Sequence, residues 1–280
     1  MKQIATQGEL NPAQLQEAVK QFSTLRSGMF GNMEKQFIEV ARKYSPEQIE
    51  QINRSYYQTQ KSTIWAFVQS GMRDQQLLDL FSKILAPRHD AWAQLINTYP
   101  DQIAPFILLM DENDCRRVKI AYKNRYQNEI SSKLTQNTFA INLLKAWLNR
   151  DTLVRPVMNF KKEAQKLDEA TKSLGTDEQI FLDFFTKTSF NDFKEVIAEY
   201  QKLSNETLVE RLKGEFKDEN LKYAQMCYFR MQDLTRFLQV SLQGKCNPQI
   251  ALLVRDRIQW NEIALGSLVG ENIAQMCGKM

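Results

Sequence analysis

Thr171-Lys-Ser-Leu-Gly-Thr-Asp-Glu178 lies between two helical patterns and decides how the rest of the chain is read. Upstream, Phe160–Leu167 is charged and amphipathic. Downstream, Ile180, Phe181, Phe184 and Phe185 form one apolar face at helical spacing. The stretch ends in a helix-start signal: Thr176 as N-cap, with Gln179 three residues on completing a capping box. Asp177 and Glu178 fill the first turn, where the helix dipole favours negative charge. Taken alone, the stretch is a well-made helix start.

It does not stand alone. Gly175-Thr-Asp-Glu178 is followed by Val196-Ile-Ala-Glu-Tyr200 and then by Leu212-Lys-Gly-Glu215. This succession resembles an annexin repeat, which carries a Gly-x-Gly-Thr loop and an acidic residue about forty positions further on, here Glu215. The resemblance implies a calcium site built from the carbonyls of Thr171, Ser173 and Gly175 and the carboxylate of Glu215. Calcium is a hard cation that takes 6–8 oxygens. A tight loop turns several carbonyls toward one point and a distant carboxylate closes the site. Positions left open take water or a lipid phosphoryl group, so the ion bridges protein to an anionic membrane. Leu174 and Thr176 are then the membrane-contact residues, Leu174 at the loop tip. The other reading of Leu174 is a loop residue folded back onto its own repeat. One departure weakens the expected site: Ser173 replaces the first loop glycine. Serine at a left-handed position costs about 1–2 kcal/mol, although a carbonyl ligand does not depend on the side chain.

The rest of the chain fits an all-α array. Gly (10) and Pro (7) are scarce among 280 residues, and helix formers abound. The tyrosine frames ending at Tyr56, Tyr122 and Tyr200 each follow an Ile or Val four residues earlier, at Ile52, Val118 and Val196. Each is followed by an amphipathic segment and then an apolar helix: Gln75–Leu85, Ala140–Leu148 and Leu221–Met231. The period is about seventy residues, several helices per repeat. The expected division is a short N-terminal segment 1–10, repeat one over 11–87, repeat two over 88–151, repeat three over 152–231 with the calcium motif, and an abridged repeat four over 232–280. Annexins are slightly curved all-helical discs, and four such repeats with the fourth shortened are what the resemblance implies here.

The other repeats lack the distant acid. Ser27-Gly-Met-Phe-Gly-Asn32 has loop glycines, but no acid lies near Val68–Ser70; Thr98-Tyr-Pro-Asp101 has no glycine, and no acid lies near Lys133–Gln136. In the fourth, Leu234–Leu242 reads as a joining helix and Ile250–Arg257 as the next, with Pro248 in its first turn. Gly270–Gly278 resembles the last helix of an annexin. Such losses point toward the divergent annexins of protists, the alpha-giardins among them. Asp218 and Glu219 read as helix-dipole partners of the following helix, with a secondary calcium position as the alternative. Trp65 and Phe67 read as core aromatics, Pro87–Ala91 as a linker, and Trp92 as packing between repeats.

Several classes of function are excluded by what is missing. His89 is the only histidine, and no nucleophile–base pair, phosphate-binding Gly-x-x-x-x-Gly-Lys or His/Cys metal cluster is present, so no enzymatic activity is expected. The net charge of +4 is mild and the charges are interspersed, which gives nucleic acid little support as a partner. Cys115, Cys227, Cys246 and Cys277 are widely spaced, and Met1-Lys-Gln-Ile lacks an apolar signal core, so buried free thiols in a reducing cytoplasm are expected. Phe106–Met110 is far too short to cross a bilayer, which makes membrane contact peripheral, on the inner face of membranes. The basic cluster Arg116, Arg117, Lys119, Lys123 and Arg125 reads as a solvated face or as a patch for lipid head groups or sulfated sugars. The resemblance thus implies calcium-dependent binding to anionic phospholipid through one loop, with a link to a cytoskeletal protein. Because one site gives weak binding, stable attachment calls for high calcium, self-association into an oligomer or a protein partner. The rival is a calcium-independent scaffold that keeps the fold for its surfaces.

Overall fold

The computed structural model describes residues 2–3, 8–25, 33–170, 177–242, 247–260 and 262–277. In chain order the elements are β1 (Lys2–Gln3), α1 (Pro12–Thr24), α2 (Met33–Ala41), α3 (Pro46–Gln60), α4 (Ile64–Gly71), α5 (Gln75–Leu85), α6 (Arg88–Thr98), α7 (Ile103–Leu109), α8 (Glu112–Tyr126), α9 (Phe139–Trp147) and α10 (Arg150–Leu153). They continue with α11 (Phe160–Ala170), α12 (Glu178–Lys187), α13 (Phe190–Leu203), α14 (Leu208–Glu215), α15 (Asp218–Gln232), α16 (Leu234–Ser241), α17 (Ile250–Leu253), β2 (Ile258–Gln259), α18 (Glu262–Val269) and α19 (Glu271–Cys277). Short 3-10 turns occupy Pro100–Gln102 and Ile130–Lys133. The protein is all-α apart from the two-residue strands.

The helices start where local chemistry satisfies the free N–H groups of a first turn. Asn11, Ser45, Asp111 and Thr207 each cap a helix and complete a reciprocal capping box with the residue three positions on. Pro12 and Pro46 stand in the first turn, where proline's missing N–H costs nothing. Lys61 and Gln127 end α3 and α8 in the left-handed conformation, and Gly270 (φ +83) makes the turn between α18 and α19.

The chain divides into two compact units. Residues 1–92 and 245–280 form one, and residues 93–244 form the other. In the first, Phe37 packs on Phe81 with ring centroids 4.3 Å apart and meets Phe22 edge-on at 5.9 Å. Buried Arg88 ion-pairs with Glu47 at 2.8 Å and with buried Asp256, tying the start of α3 to the segment after α17. Arg255 donates to the Tyr44 carbonyl at 3.1 Å, and burial pushes its guanidinium down to about 10. β1 pairs antiparallel with β2, Lys2 opposite Gln259 and Gln3 opposite Ile258.

In the second unit, Tyr122 and Tyr200 are buried on α8 and α13, as Tyr56 is on α3 of the first. Phe184 stacks on Phe193 at 4.8 Å, and Phe216 lies between Phe139 at 4.4 Å and Phe181 at 5.4 Å. Arg150 is fully buried among them. It donates to the carbonyls of Phe185 at 2.5 Å and Thr188 at 2.9 Å, and to Glu112 Oε1 at 2.7 Å. Its guanidinium lies over Trp147 at 4.6 Å and Phe190 at 4.8 Å. It therefore serves as the cap for the carbonyl-rich end of α12, where a cation also meets the negative end of the helix dipole. Arg230 covers Phe190 at 4.3 Å and donates to the Leu109 carbonyl at 3.1 Å.

Three local expectations change. The segment Pro87–Ala91 is not a linker: α6 already begins at Arg88, whose side chain the ion pairs hold. Trp65 and Phe67 are half-exposed, and Ile64 and Val68 are the core positions of α4. The helix expected over Ile250–Arg257 stops at Leu253, because Arg255 and Asp256 turn inward to their polar partners. Trp92 is fully buried on α6.

Candidate functional site

The expected site belongs to the second unit. α11 runs up to Ala170, burying Ala164, Leu167 and Ala170, and α12 leaves again at Glu178 with Phe181, Phe184 and Phe185 buried. Thr171, Ser173, Leu174, Gly175 and Thr176, which join these helices, lie outside the described residues. The downstream anchor differs from the sequence expectation. The cap of α12 is Asp177, not Thr176; its carboxylate accepts from the N–H groups of Gln179 at 3.2 Å and Ile180 at 3.4 Å. The carboxylate reaches the free donors of the first turn from one residue closer.

Glu215 is the member of the expected set that the structure describes. Thr207 caps α14, and Leu208 and Leu212 bury one face of it. That places Glu215 three residues beyond Leu212, half-buried on the last turn, before Phe216 turns into the core. Arg211 lies one turn earlier, 3.7 Å from Glu206. Tyr200 chiefly, with Glu206 and Glu215 adding to it, raises the Arg211 guanidinium above its ordinary value. Glu215 thus offers hard oxygen atoms in a partly wet position, which suits a calcium ion completed by carbonyls and solvent. Among the described residues no cluster of three or more His, Cys, Asp or Glu side chains could hold a metal; a site with one carboxylate and several carbonyls falls outside that pattern.

Asp218 takes a left-handed conformation (φ 49) at the α14–α15 junction, and Glu219 accepts from the Tyr223 hydroxyl at 3.0 Å. That bond engages Glu219 within its own helix. The corresponding places elsewhere differ in build. Val68 is buried and the Ser70 hydroxyl donates to the Phe67 carbonyl, while Lys133 ends a 3-10 turn in place of a helix. No helix among the described residues is long and apolar enough to cross a membrane. Sequence reasoning misses Arg150 and Arg88 as buried polar centres; their one signal is an Arg two to three residues past an apolar helix in each case.

This architecture, helices in capped sets with a loop and a distant acid in one of them, has known counterparts. The annexin family profile matches residues 162–221, a span that includes both the loop and Glu215. Annexin B10 of Drosophila melanogaster is 28% identical over 131 residues, 44% of this chain and 41% of that protein, so the match spans less than half of the relative's length. Among solved structures, annexin III superposes with a TM-score of 0.77 at 15% identity, covering 100% of this chain and 98% of that one. Calcium-bound alpha-1 giardin gives 0.78 at 13%, covering 94% and 97%. Calcium-bound alpha-14 giardin gives 0.74 at 13%, covering 95% and 100%. The fold is therefore the annexin fold over essentially the whole chain, and residues 162–221 are an annexin repeat in sequence as well. Residues 162–221 match the annexin family, and the likeness of the whole chain to annexin III and to the giardins is one of fold.

Proposed function

We propose that this protein binds anionic phospholipid surfaces in a calcium-dependent way through one site. In this reading the carbonyls of Thr171, Ser173 and Gly175 and the carboxylate of Glu215 hold the ion. Leu174 and Thr176 meet the bilayer. What carries the reading is that the one span matching the annexin profile, residues 162–221, contains both halves of the ligand set. Calcium-bound forms of the two giardins share the fold, which supports calcium as the ion. The protein acts by binding, without catalysis, as a peripheral protein on the cytoplasmic face of membranes. A cytoskeletal protein as second partner, the division into four repeats with a shortened fourth, and self-association belong to the same reading.

The test is co-sedimentation with phosphatidylserine vesicles, with calcium varied from chelator to the millimolar range. Wild-type protein should pellet only with calcium, and Glu215→Gln should need roughly tenfold more calcium or more, the loss of about 1.4 kcal/mol or more of ion binding. Unchanged calcium dependence in Glu215→Gln would falsify the site. Pelleting that ignores calcium would favour a scaffold instead, a reading supported by the buried Val68 and the 3-10 turn at Lys133 where other repeats would place their acids.

A further inference from the structure

The basic cluster on α8 divides into two parts once its partners are seen. Lys119 is paired with Asp151 at 2.8 Å, and Lys123 with Glu129 at 2.8 Å. Arg125 lies over the ring of Tyr126 at 6.0 Å. Arg116 and Arg117 remain exposed and have no acidic partner among the described residues; Arg116 is steered by the neutral Asn113 side chain at 2.9 Å. One helical turn further on, on the same face, stands Ile120, 56% exposed. Asn124 and Lys123 follow at the next turn, both exposed. The opposite face of α8 is fully used, with Cys115, Val118 and Tyr122 buried. The result is a rigid helical face with an apolar side chain at its centre, two arginines beside it and amides at both ends; the acids at its margins are already engaged, Glu112 by Arg150 and Glu129 by Lys123.

We propose that this face docks an acidic segment of a protein partner, with Ile120 as apolar anchor and Arg116 and Arg117 holding carboxylates. The charge pattern decides the class of partner. The lysines are already occupied, and what is left are guanidinium forks, which match carboxylates in a bidentate geometry. A small apolar centre ringed by Arg and amide groups is the anatomy of a protein interface. A helix that lies in a bilayer needs a whole apolar face, and α8 buries its own inside the protein. The helix is held along its buried side, so little ordering is required on binding. None of the proposed calcium ligands belongs to α8, so binding at this surface is expected without the ion.

The experiment uses the full chain in chelator at low salt. The probe is a fluorescein-labelled peptide of twelve residues, glutamates around a central leucine, followed by anisotropy. Wild type should bind. Arg116→Ala/Arg117→Ala should weaken binding about tenfold or more, and Ile120→Ser severalfold. Raising the salt to about 0.3 M should remove most of it, since exposed charges are screened. All three residues are exposed, so the variants should keep the wild-type circular dichroism. Parallel arms use phosphatidylserine vesicles in chelator and heparin. Absence of peptide binding, or binding that both variants leave unchanged, overturns the proposal. Loss of vesicle or heparin binding in the arginine variant, without any peptide binding, overturns it in favour of lipid or sulfated sugar. An unchanged affinity in Ile120→Ser alone overturns the apolar anchor and with it the assignment to a protein segment.

Discussion

Replacing Arg150 by methionine should be among the most damaging single changes in the second unit. Methionine fills a similar volume and keeps contact with Trp147 and Phe190, so the apolar packing changes little. What disappears is the donor set. The carbonyls of Phe185 and Thr188 lose their charged partner, and Glu112 loses its cation. Each buried carbonyl left without a donor costs about 1–3 kcal/mol. Glu112 keeps 35% of its side chain in solvent, so the ion pair adds only a few tenths to about 1 kcal/mol. The sum is about 2–7 kcal/mol, which brackets the about 3–5 for breaking a buried pair from one side. For a unit of this size each kcal/mol lowers Tm by about 2–4 °C. A drop of about 6 °C or more is therefore expected in a thermal melt followed by circular dichroism at 222 nm. Glu112→Gln serves as the comparison and should lower Tm by no more than about 4 °C, because it leaves the two carbonyl bonds intact. Arg150→Lys should fall between, since one ammonium on a flexible stem replaces a planar fork. A drop below about 2 °C in Arg150→Met, or one no larger than in Glu112→Gln, would mean that the guanidinium does not hold the end of α12 as described.

Two further outcomes follow from local chemistry. Asp177→Ala removes the carboxylate that closes the first turn of α12 and should destabilise the protein by about 0.5–2 kcal/mol in urea unfolding, whereas Asp177→Asn should cost little. Burial pushes the Cys227 and Cys115 thiols well above the ordinary 9.0. Because the folded values are raised, their contribution is fully present below that value and is lost as the pH climbs above it, by up to about 1.4 kcal/mol per pH unit for each thiol. Urea midpoints measured between pH 8 and 10.5 should fall more steeply in wild type than in Cys115→Ala/Cys227→Ala; equal slopes would contradict the burial. Cys277, pushed up to about 12, is a poorer reporter, because Arg255, pushed down to about 10 beside it, works in the opposite direction.

Much of the fold is legible wherever local rules and burial agree. Gln75–Leu85 reads as an apolar helix from its spacing and is one, to the residue. The frames at Tyr56, Tyr122 and Tyr200 mark the same helical face because a buried tyrosine four residues after a buried Ile or Val satisfies the same packing each time. The failures come from side chains whose partners are distant in sequence. Arg255 and Asp256 end α17 early, but their partners Tyr44 and Arg88 lie at the other end of the chain, where no periodicity reports them. Arg150 reads as an ordinary polar residue after a helix, and only the fold brings the end of α12 to it. Of the candidate site, the half-buried placement of Glu215 on the last turn of α14 is legible because the capping box at Thr207 and the burial of Leu208 and Leu212 set the phase of that helix. The cap of α12 reads one residue early because Thr176 and Asp177 are both good cap types, and two adjacent ones leave the sequence signal degenerate.

The division of the chain carries a consequence for its birth. Residues 93–244 are contiguous, whereas residues 1–92 share their unit with 245–280. On the ribosome, the first unit's leading segment emerges early but waits for the whole intervening stretch before Asp256 can reach Arg88. At about 5–20 residues per second that delay is on the order of ten seconds or more. Meanwhile the later-made middle stretch already holds every residue of its own core. The part synthesised second is thus the part able to fold first, and the opening segment, with Phe22, Phe37 and Phe81 awaiting completion, is where a nascent-chain chaperone has most to shield.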